Sequence, residues 1–135
     1  MANEAVIINL GPNGGRVMRM TCADAGIEKG TILKLTDPRT VAACSADNDM
    51  FGGIAAEEKV SGDGKTDIAV YTEGIFDLLA SAAAITAGQQ VSINGANEIK
   101  IFTTLDGEKG YAFGKALETC AAAEVIAVAI GGMFC

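Results

Sequence analysis

The residue types that most often perform enzyme chemistry are sparse in this chain. Histidine is absent, so no imidazole is available to activate a nucleophile or to exchange protons near neutral pH. The remaining nucleophile candidates are the cysteines Cys22, Cys44, Cys120 and Cys135. Their wide spacing does not match a zinc site, and no neighbouring sequence supplies the positive charge that a reactive thiolate requires. We expect reduced, mostly buried cysteines without catalytic function, with Cys135 exposed and prone to adventitious disulfides.

Carboxylates are the second group of candidates. Glu57 and Glu58 are adjacent, and consecutive side chains of a strand point to opposite faces, so they are not expected to form a catalytic pair. Asp47 and Asp49 are typical of a turn. The stretch from Asp47 to Glu58 approaches the spacing of a calcium loop, but Phe51 stands where an oxygen ligand is required. We therefore expect no catalytic, cofactor or metal site, a loosely held surface cation being the remaining alternative.

Two further patterns have simple explanations. Residues 11–15 are rich in glycine, but they do not form the Gly-x-x-x-x-Gly-Lys-Ser/Thr motif that cradles phosphates, and we interpret them as a hinge. Arg16, Arg19, Lys29 and Lys34 are close in sequence and could form one less acidic face. Solvated charges on strands are the alternative.

Composition limits the class of protein. A chain of 135 residues accommodates one domain or two very small ones. Half of the residues are hydrophobic, yet only 5% are aromatic and Trp is absent, so small residues supply much of that share. Such a core is thin, which favours self-association. The net charge of −7 has the wrong sign for binding nucleic acid, and neither a membrane helix nor a secretory sequence is present. We expect a protein made in the cytoplasm.

The pattern of hydrophobic residues predicts an all-β fold. Short stretches rich in Val, Ile, Thr and Tyr recur between turn signals, and almost no segment has helical periodicity. Asn94 and Gly95 predict a hairpin turn, because both tolerate positive φ. The predicted strands are 16–22, 31–36, 53–57, 66–72, 74–79, 90–93, 99–103, 114–119 and 124–130.

One segment has high helix propensity. Residues 78–84 are rich in leucine and alanine, but an isolated helix shorter than about 12 residues is marginal in water. We predict a loop with at most one helical turn. Further turns are predicted at Asp63 with Gly64 and at Asp106 with Gly107.

A weak internal repeat organises the chain. Residues 27–35 match 85–93 at an offset of 58, which we call the main offset, and residues 68–70 match 126–128 at the same offset. Residues 51–55 match 113–117 at an offset of 62. Chance similarity between stretches rich in Ala and Gly is the alternative. We predict a single β domain over residues 16–135, with approximate half-repeats 16–77 and 78–135. Each half is too small to bury its own apolar face, so the two would pack together.

The N-terminal segment, residues 1–15, differs from this domain. Residues 5–10 are apolar and β-prone, and the glycine-rich stretch separates them from the rest. An extended, flexible N-terminal arm that adds a strand to a partner is one interpretation, and a first strand packed on its own domain is the other. The apolar residues of this segment are Ala5, Val6, Ile7, Ile8 and Leu10.

Most of the chain resembles a known family. The succession of residues 22–31 (CADAGIEKGT), 51–55 (FGGIA), 68–78 (IAVYTEGIFDL), 85–88 (ITAG) and 114–118 (GKALE) is similar to tailed-phage capsid decoration proteins, also called head-stabilising or cement proteins. These motifs are structural glycines and strand frames rather than a catalytic signature. The resemblance begins near residue 16. Although Cys22 starts the first of these stretches, the four cysteines are not part of the pattern of glycines and strand frames, and they could be buried or crosslinking.

The resemblance implies a function and partners. It implies a small, non-enzymatic β protein without a cofactor that sits, typically as a homotrimer, on the outer surface of an icosahedral phage head. There it would lock neighbouring copies of the major capsid protein together. The family's N-terminal region commonly contacts the capsid, so Ala5, Val6, Ile7, Ile8 and Leu10 are the candidate contact residues. A small-ligand or carbohydrate-binding module is the alternative, because residues 25–33 also resemble the glycine-containing hairpin of β-clip domains.

Overall fold

The computed structural model describes residues 4–10, 16–47, 49–80, 83–102 and 112–131, and it confirms an all-β protein. Within these residues no helix is present that could cross a membrane. The strands are β1 (Val6–Asn9), β2 (Arg16–Cys22), β3 (Ile32–Asp37), β4 (Thr40–Ala43), β5 (Phe51–Ala55), β6 (Asp67–Ala80), β7 (Gln90–Ile93), β8 (Glu98–Ile101), β9 (Gly114–Ala116) and β10 (Glu124–Ile130).

The long strand β6 belongs to two closed five-stranded rings. Its first half, which ends at Glu73, closes a ring with β2, β4, β3 and β5, and we call this ring the first barrel. Its second half, which begins at Gly74, closes a ring with β8, β7, β9 and β10, the second barrel. Closing a sheet on itself pairs the two strands that would otherwise form its edges.

The two barrels repeat the same strand pairings. Cys22 of β2 lies opposite Val41 of β4 in a parallel pair. At the main offset, Ala80 of β6 lies opposite Ile99 of β8, also in parallel. The hairpin of β3 and β4 and the hairpin of β7 and β8 share one register at the same offset. The predicted internal repeat is therefore present in the fold. In these ladders the pairings of the first repeat along β6 end at Glu73 and those of the second begin at Gly74.

A bulge explains why the phenylalanine motif repeats at a different offset. Gly53 of β5 and Gly114 of β9 hold equivalent ladder positions in the two barrels. The two glycines are 61 residues apart in sequence, whereas Phe51 and Phe113 are 62 apart. The extra residue is Gly52, which the ladder of β5 skips.

The repeats are related by an approximate two-fold axis. β2 pairs antiparallel with the first half of β6, and β10 pairs antiparallel with the second half. β2 and β10 therefore lie end to end along β6. At the main offset, β2 of the first repeat corresponds to the second half of β6, and the first half of β6 corresponds to β10. Exchanging the two repeats therefore reproduces the same set of strand pairings.

The core extends through both barrels. Cys22, Leu33, Val41, Ile68 and Val70 belong to the cluster that fills the first barrel. A larger cluster fills the second barrel and also takes in side chains of the first repeat, so it joins the two. Its fully buried members include Ile32, Ile54, Phe76, Ile93, Ile99 and Val128. Burial of these apolar side chains stabilises the pair of barrels by about 25 cal/mol for each Å² of apolar surface removed from water.

The structure corrects several predicted element boundaries. The stretches 66–72 and 74–79 form one strand, β6, and residues 78–80 belong to it rather than to a loop. β4 was not predicted, since its sequence TVAA is short and half alanine. The hairpin at Asn94 is confirmed, but its turn extends over residues 94–97, and the positive φ angles belong to Gly95 and Asn97.

Some predictions lie outside the described residues. These are the hinge at residues 11–15, the turn at residues 106 and 107, the end of the strand predicted at 99–103, and Cys135.

Candidate functional site

The N-terminal segment forms a strand on its own domain. β1 pairs antiparallel with the second half of β6, with Val6 opposite Asp77 and Ile7 opposite Phe76. The interpretation as a first strand packed on its own domain therefore describes its position in this structure.

A glycine turn of the first barrel holds the start of this segment. The Ala5 N–H donates a hydrogen bond of 2.7 Å to the Gly30 carbonyl. Gly30 has φ +88°, and a Cβ placed on it would lie 2.8 Å from both the Ala5 carbonyl oxygen and the Glu4 Cβ. Such a distance is too short for any side chain, so only glycine permits this close approach. β1 thus bridges the first barrel, at Gly30, and the second barrel, at β6.

The candidate contact residues divide into two groups. Ala5 is buried, and Leu10 is half-buried against the core. Val6, Ile7 and Ile8 are exposed, Val6 to 58% and Ile8 to 50%. The side chains of these three consecutive aliphatic residues are accessible to a partner, and exposed apolar groups that lie together mark interaction sites. We call Val6, Ile7 and Ile8 the β1 patch.

The acidic residues considered for calcium have other partners. Asp47 lies 2.6 Å from the Lys100 Nζ. Asp49 Oδ2 accepts hydrogen bonds from the backbone N–H groups of Ser45 (2.8 Å) and Ala46 (2.9 Å), which stabilise the turn predicted there. One carboxylate oxygen of each aspartate, Asp47 Oδ1 and Asp49 Oδ2, is therefore engaged within the protein. No cluster of three or more metal-ligating side chains occurs within the residues that the structure describes.

Glu57 has a structural position that the repeat duplicates. Its Oε1 accepts a hydrogen bond of 3.1 Å from the Ala69 N–H, and in the second repeat Glu118 Oε1 accepts one of the same length from the Ala127 N–H. Ala69 and Ala127 are 58 residues apart, which is the main offset. Glu57 and Glu118 are 61 residues apart, as are Gly53 and Gly114 in the strands that precede them. This duplication indicates that Glu57 caps a barrel strand, rather than acting with Glu58 as a catalytic pair.

A buried lysine was missed by sequence reasoning. The Lys59 side chain is 2% exposed and lies between Asp24 Oδ1, at 2.6 Å, and Asp63 Oδ1, at 3.0 Å. Gly62 and Gly64 each donate a backbone N–H to Asp24. The turn predicted at Asp63 and Gly64 was the one sign of this cluster in the sequence. The sequence alone does not indicate that Asp24 contacts this turn and Lys59.

The pKa values of this cluster shift in the directions expected of ion pairs. Hydrogen bonding to Lys59 lowers the pKa of Asp24, and the Lys65 N–H and then Lys59 lower the pKa of Asp63. The pKa of Lys59 is raised, chiefly by its hydrogen bond to Asp24. All three groups are therefore charged near neutral pH. A lysine with this protonation state and two carboxylate partners links the loops around the first barrel and is not poised as a nucleophile.

A surface depression of about 400 Å³ lies beside β2. It is lined by Arg19, Met20, Thr21, Pro38, Arg39 and Asp67. Arg19 makes two hydrogen bonds of 3.0 Å with Asp67 and approaches Glu57 at 3.2 Å, so its guanidinium is already paired. A ligand-binding module would instead present converging polar groups to a ligand. This depression thus gives no support to a carbohydrate-binding function.

Other predicted groups occupy ordinary positions. Lys34 hydrogen bonds to Ser45 at 2.9 Å, and Arg19 is paired as above. Cys22, Cys44 and Cys120 are free and buried, as predicted. Burial raises the pKa of the Cys22 and Cys44 thiols, which makes them less reactive.

The comparisons with known proteins agree with this structural character. A model of the phage cement protein family matches residues 12–131. The fold is similar to that in "The crystal structure of head fiber gp8.5 N base in bacteriophage phi29", with a TM-score of 0.56 and 13% sequence identity, over 86% of this chain and 93% of that one. A search of curated protein sequences finds no match. Since the family model spans most of the sequence and confirms the resemblance found in its motifs, the chain belongs to the phage cement protein family.

Proposed function

We propose that this protein is a non-enzymatic virion component that binds the outer surface of an icosahedral phage capsid as a homotrimer and bridges subunits of the major capsid protein. It is made in the host cytoplasm and resides on the assembled head. Membership of the cement protein family and the fold shared with a phage head fiber base support a structural, capsid-associated role.

The single observation that carries the contact site is the exposure of the β1 patch. Val6 and Ile7 pair with β6, Ile8 lies at the register shift between Ile7 and Asn9, and the three side chains remain accessible. Burying a side chain of this size against a partner stabilises a complex by about 1.5–3 kcal/mol. Three such residues in one strand suffice for a contact that is weak in one copy and strong in a trimer.

The energetics of stabilisation follow from selective binding. A protein that binds assembled capsids but not free subunits shifts assembly by mass action. A trimer that engages three sites gains from effective concentration, so each contact is allowed to be weak. The net charge of −7 keeps unbound trimers soluble and apart from one another before they meet the capsid.

Co-sedimentation with undecorated phage heads tests the function. The wild-type protein is expected to bind, and the combined variant Val6→Ser, Ile7→Ser, Ile8→Ser is expected to lose most of this binding while keeping its thermal stability. The control is Val60→Ser, because Val60 is equally apolar and 67% exposed but lies outside β1. Failure of the wild type to bind heads would sink the proposal, and equal binding by the serine variant would reject the β1 patch. Native mass spectrometry of the unbound protein tests the trimer.

A further inference from the structure

The internal two-fold relation gives the site that holds β1 a counterpart. β1 rests on two features: the edge of β6 at Ile75, Phe76 and Asp77, and the turn at Gly30. We call these the occupied platform. Moving each feature to its equivalent in the other repeat, by the main offset, gives the edge of β2 at Val17, Met18 and Arg19 and the turn at Gly88. These we call the open platform.

The backbone of β2 is oriented to receive a strand at this edge. The Cys22 N–H donates to the Thr66 carbonyl on the β6 side, whereas the Thr21 N–H donates to the Arg39 carbonyl on the opposite side. Backbone groups alternate in direction along a strand. The N–H and C=O groups of Arg19 and Val17 therefore point away from β6, as those of Asp77 and Ile75 point toward β1.

Within the described part of the chain, nothing covers the open platform. On the side of β2 away from β6, β4 pairs only with Thr21 and Cys22. Val17 is 50% and Met18 40% exposed. Gly88 has φ +93°, close to the +88° of Gly30, yet no described atom lies within 4 Å of a Cβ placed on it. The turn geometry that accommodates residues 4 and 5 at Gly30 is thus present at Gly88 without an occupant.

The number of strands available argues for an occupant from another protein. The described part of each chain has two platforms and one N-terminal segment, which occupies one of them. Exchange of β1 between copies of this chain would fill one platform and vacate another, so exchange of β1 leaves one platform per chain open.

We propose that the open platform binds an extended apolar segment of the major capsid protein, which pairs antiparallel with β2 at Val17–Arg19 and passes over Gly88. The inference rests on the proposed function and identifies a second contact with the capsid beside the β1 patch. Main-chain hydrogen bonds supply the affinity, as in other cases of strand addition to a sheet edge. The depression lined by Arg19, Met20 and Arg39 adjoins this edge and gives space for a side chain of the incoming strand.

Two substitutions test the platform without disturbing the barrel. Val17→Pro removes an N–H that points outward, so the ladder between β2 and β6 is retained. Val17→Ala is its matched control, because it shortens the side chain and keeps the N–H. Gly88→Asn places a side chain in the open space above the turn, and asparagine tolerates the positive φ there. Thermal unfolding checks that all three variants fold.

The readouts are co-sedimentation with undecorated heads and amide hydrogen exchange. Val17→Pro and Gly88→Asn should each weaken binding to heads by about tenfold or more, which corresponds to the loss of one or two main-chain hydrogen bonds, whereas Val17→Ala should bind like the wild type. In the unbound protein the Val17 and Arg19 amides should exchange rapidly, and on decorated heads they should become protected.

Each alternative outcome is informative. Unchanged binding by both Val17→Pro and Gly88→Asn overturns the inference while leaving the proposed function intact, and so does an equal loss in Val17→Ala. Protection of the Val17 and Arg19 amides in the unbound protein would show that a segment of this chain or a second copy fills the edge, which also overturns it. Failure of the wild type to bind heads rejects the proposed function, and with it the capsid segment as occupant.

Discussion

Phe51 and Phe113, which the sequence repeat matches at an offset of 62, stack on each other with ring centroids 4.2 Å apart and an interplanar angle of 11°. Each repeat contributes one ring to this contact. The bulge at Gly52 places one extra residue between Phe51 and the ladder of β5, so the two phenylalanines are offset by one ladder position. Phe113 is buried and Phe51 half-buried against the shared core. The pair therefore contributes one contact between the two repeats in the shared core.

Removing one ring should destabilise the whole domain. We expect Phe113→Ala to lower the free energy of unfolding by about 3–5 kcal/mol, as for other buried phenylalanines. Phe51→Ala should cost less, because Phe51 is only half-buried. A double-mutant cycle in chemical denaturation at fixed protein concentration should give a coupling of about 0.5–1.5 kcal/mol. A coupling of zero would mean that the rings pack independently.

The close approach at Gly30 should be specific to the first repeat. Gly30→Ala and Gly88→Ala both place an alanine at positive φ, with a similar cost of about 1–2 kcal/mol. Only Gly30→Ala also collides with Glu4 and Ala5. We expect it to release β1, which amide hydrogen exchange at residues 6–9 detects. Equal exchange in both variants would contradict the role of Gly30 in holding β1.

Asn97 should contribute more to stability than its counterpart Arg39. Both have a left-handed conformation, with φ +58° and +54°. The buried Asn97 Oδ1 accepts a hydrogen bond of 2.6 Å from the Ile32 N–H, and its Nδ2 donates to the Gly30 carbonyl at 3.4 Å. Asn97→Ala leaves the buried Ile32 N–H unpaired, so we expect a loss of about 1–3 kcal/mol beyond that of Arg39→Ala. Urea denaturation of both variants measures the difference, and equal losses would refute this assignment.

The Lys59 cluster should make stability depend on acid. The folded-state pKa values of Asp24 and Asp63 lie below their ordinary value of 3.8, so their contribution is fully present above about pH 4 and is lost as the pH falls through the lowered values. The pKa of Lys59 is raised above 10.5, so its contribution is lost only as the pH rises beyond that value. We therefore expect a plateau of the melting temperature at neutral pH, with a decline in acid.

Lys59→Met isolates this contribution. The variant keeps most of the aliphatic chain but removes the charge that lowers both aspartate pKa values, so its melting temperature should fall less steeply below pH 4 than that of the wild type. Arg19→Met is the control, because Arg19 forms a comparable but exposed pair with Asp67. Parallel acid profiles for the wild type and Lys59→Met would contradict the assignment of the acid-sensitive stability to this cluster.

Much of the fold could be predicted from local sequence. Arg16–Cys22, Gln90–Ile93 and Glu124–Ile130 match their predicted bounds, because dense β-branched and apolar residues between turn signals have few alternatives. The candidate contact site was harder to predict from the sequence. Residues 5–10 were recognised as apolar, but whether they extend from the domain or pair with it depends on an edge of β6 that is distant in sequence.

The sequence by itself determined an all-β, acidic protein without histidine, the weak internal repeat, and the resemblance to capsid decoration proteins. These properties depend on residue type and spacing, which are read locally. The tertiary structure alone decided that one strand, β6, serves two closed barrels, that Lys59 is buried between Asp24 and Asp63, and that the site of β1 has a counterpart at Val17 and Gly88. Each of these depends on which backbone edges meet across distant parts of the chain, and hydrogen-bond pairing between strands is set by the closure of the barrels rather than by any local pattern.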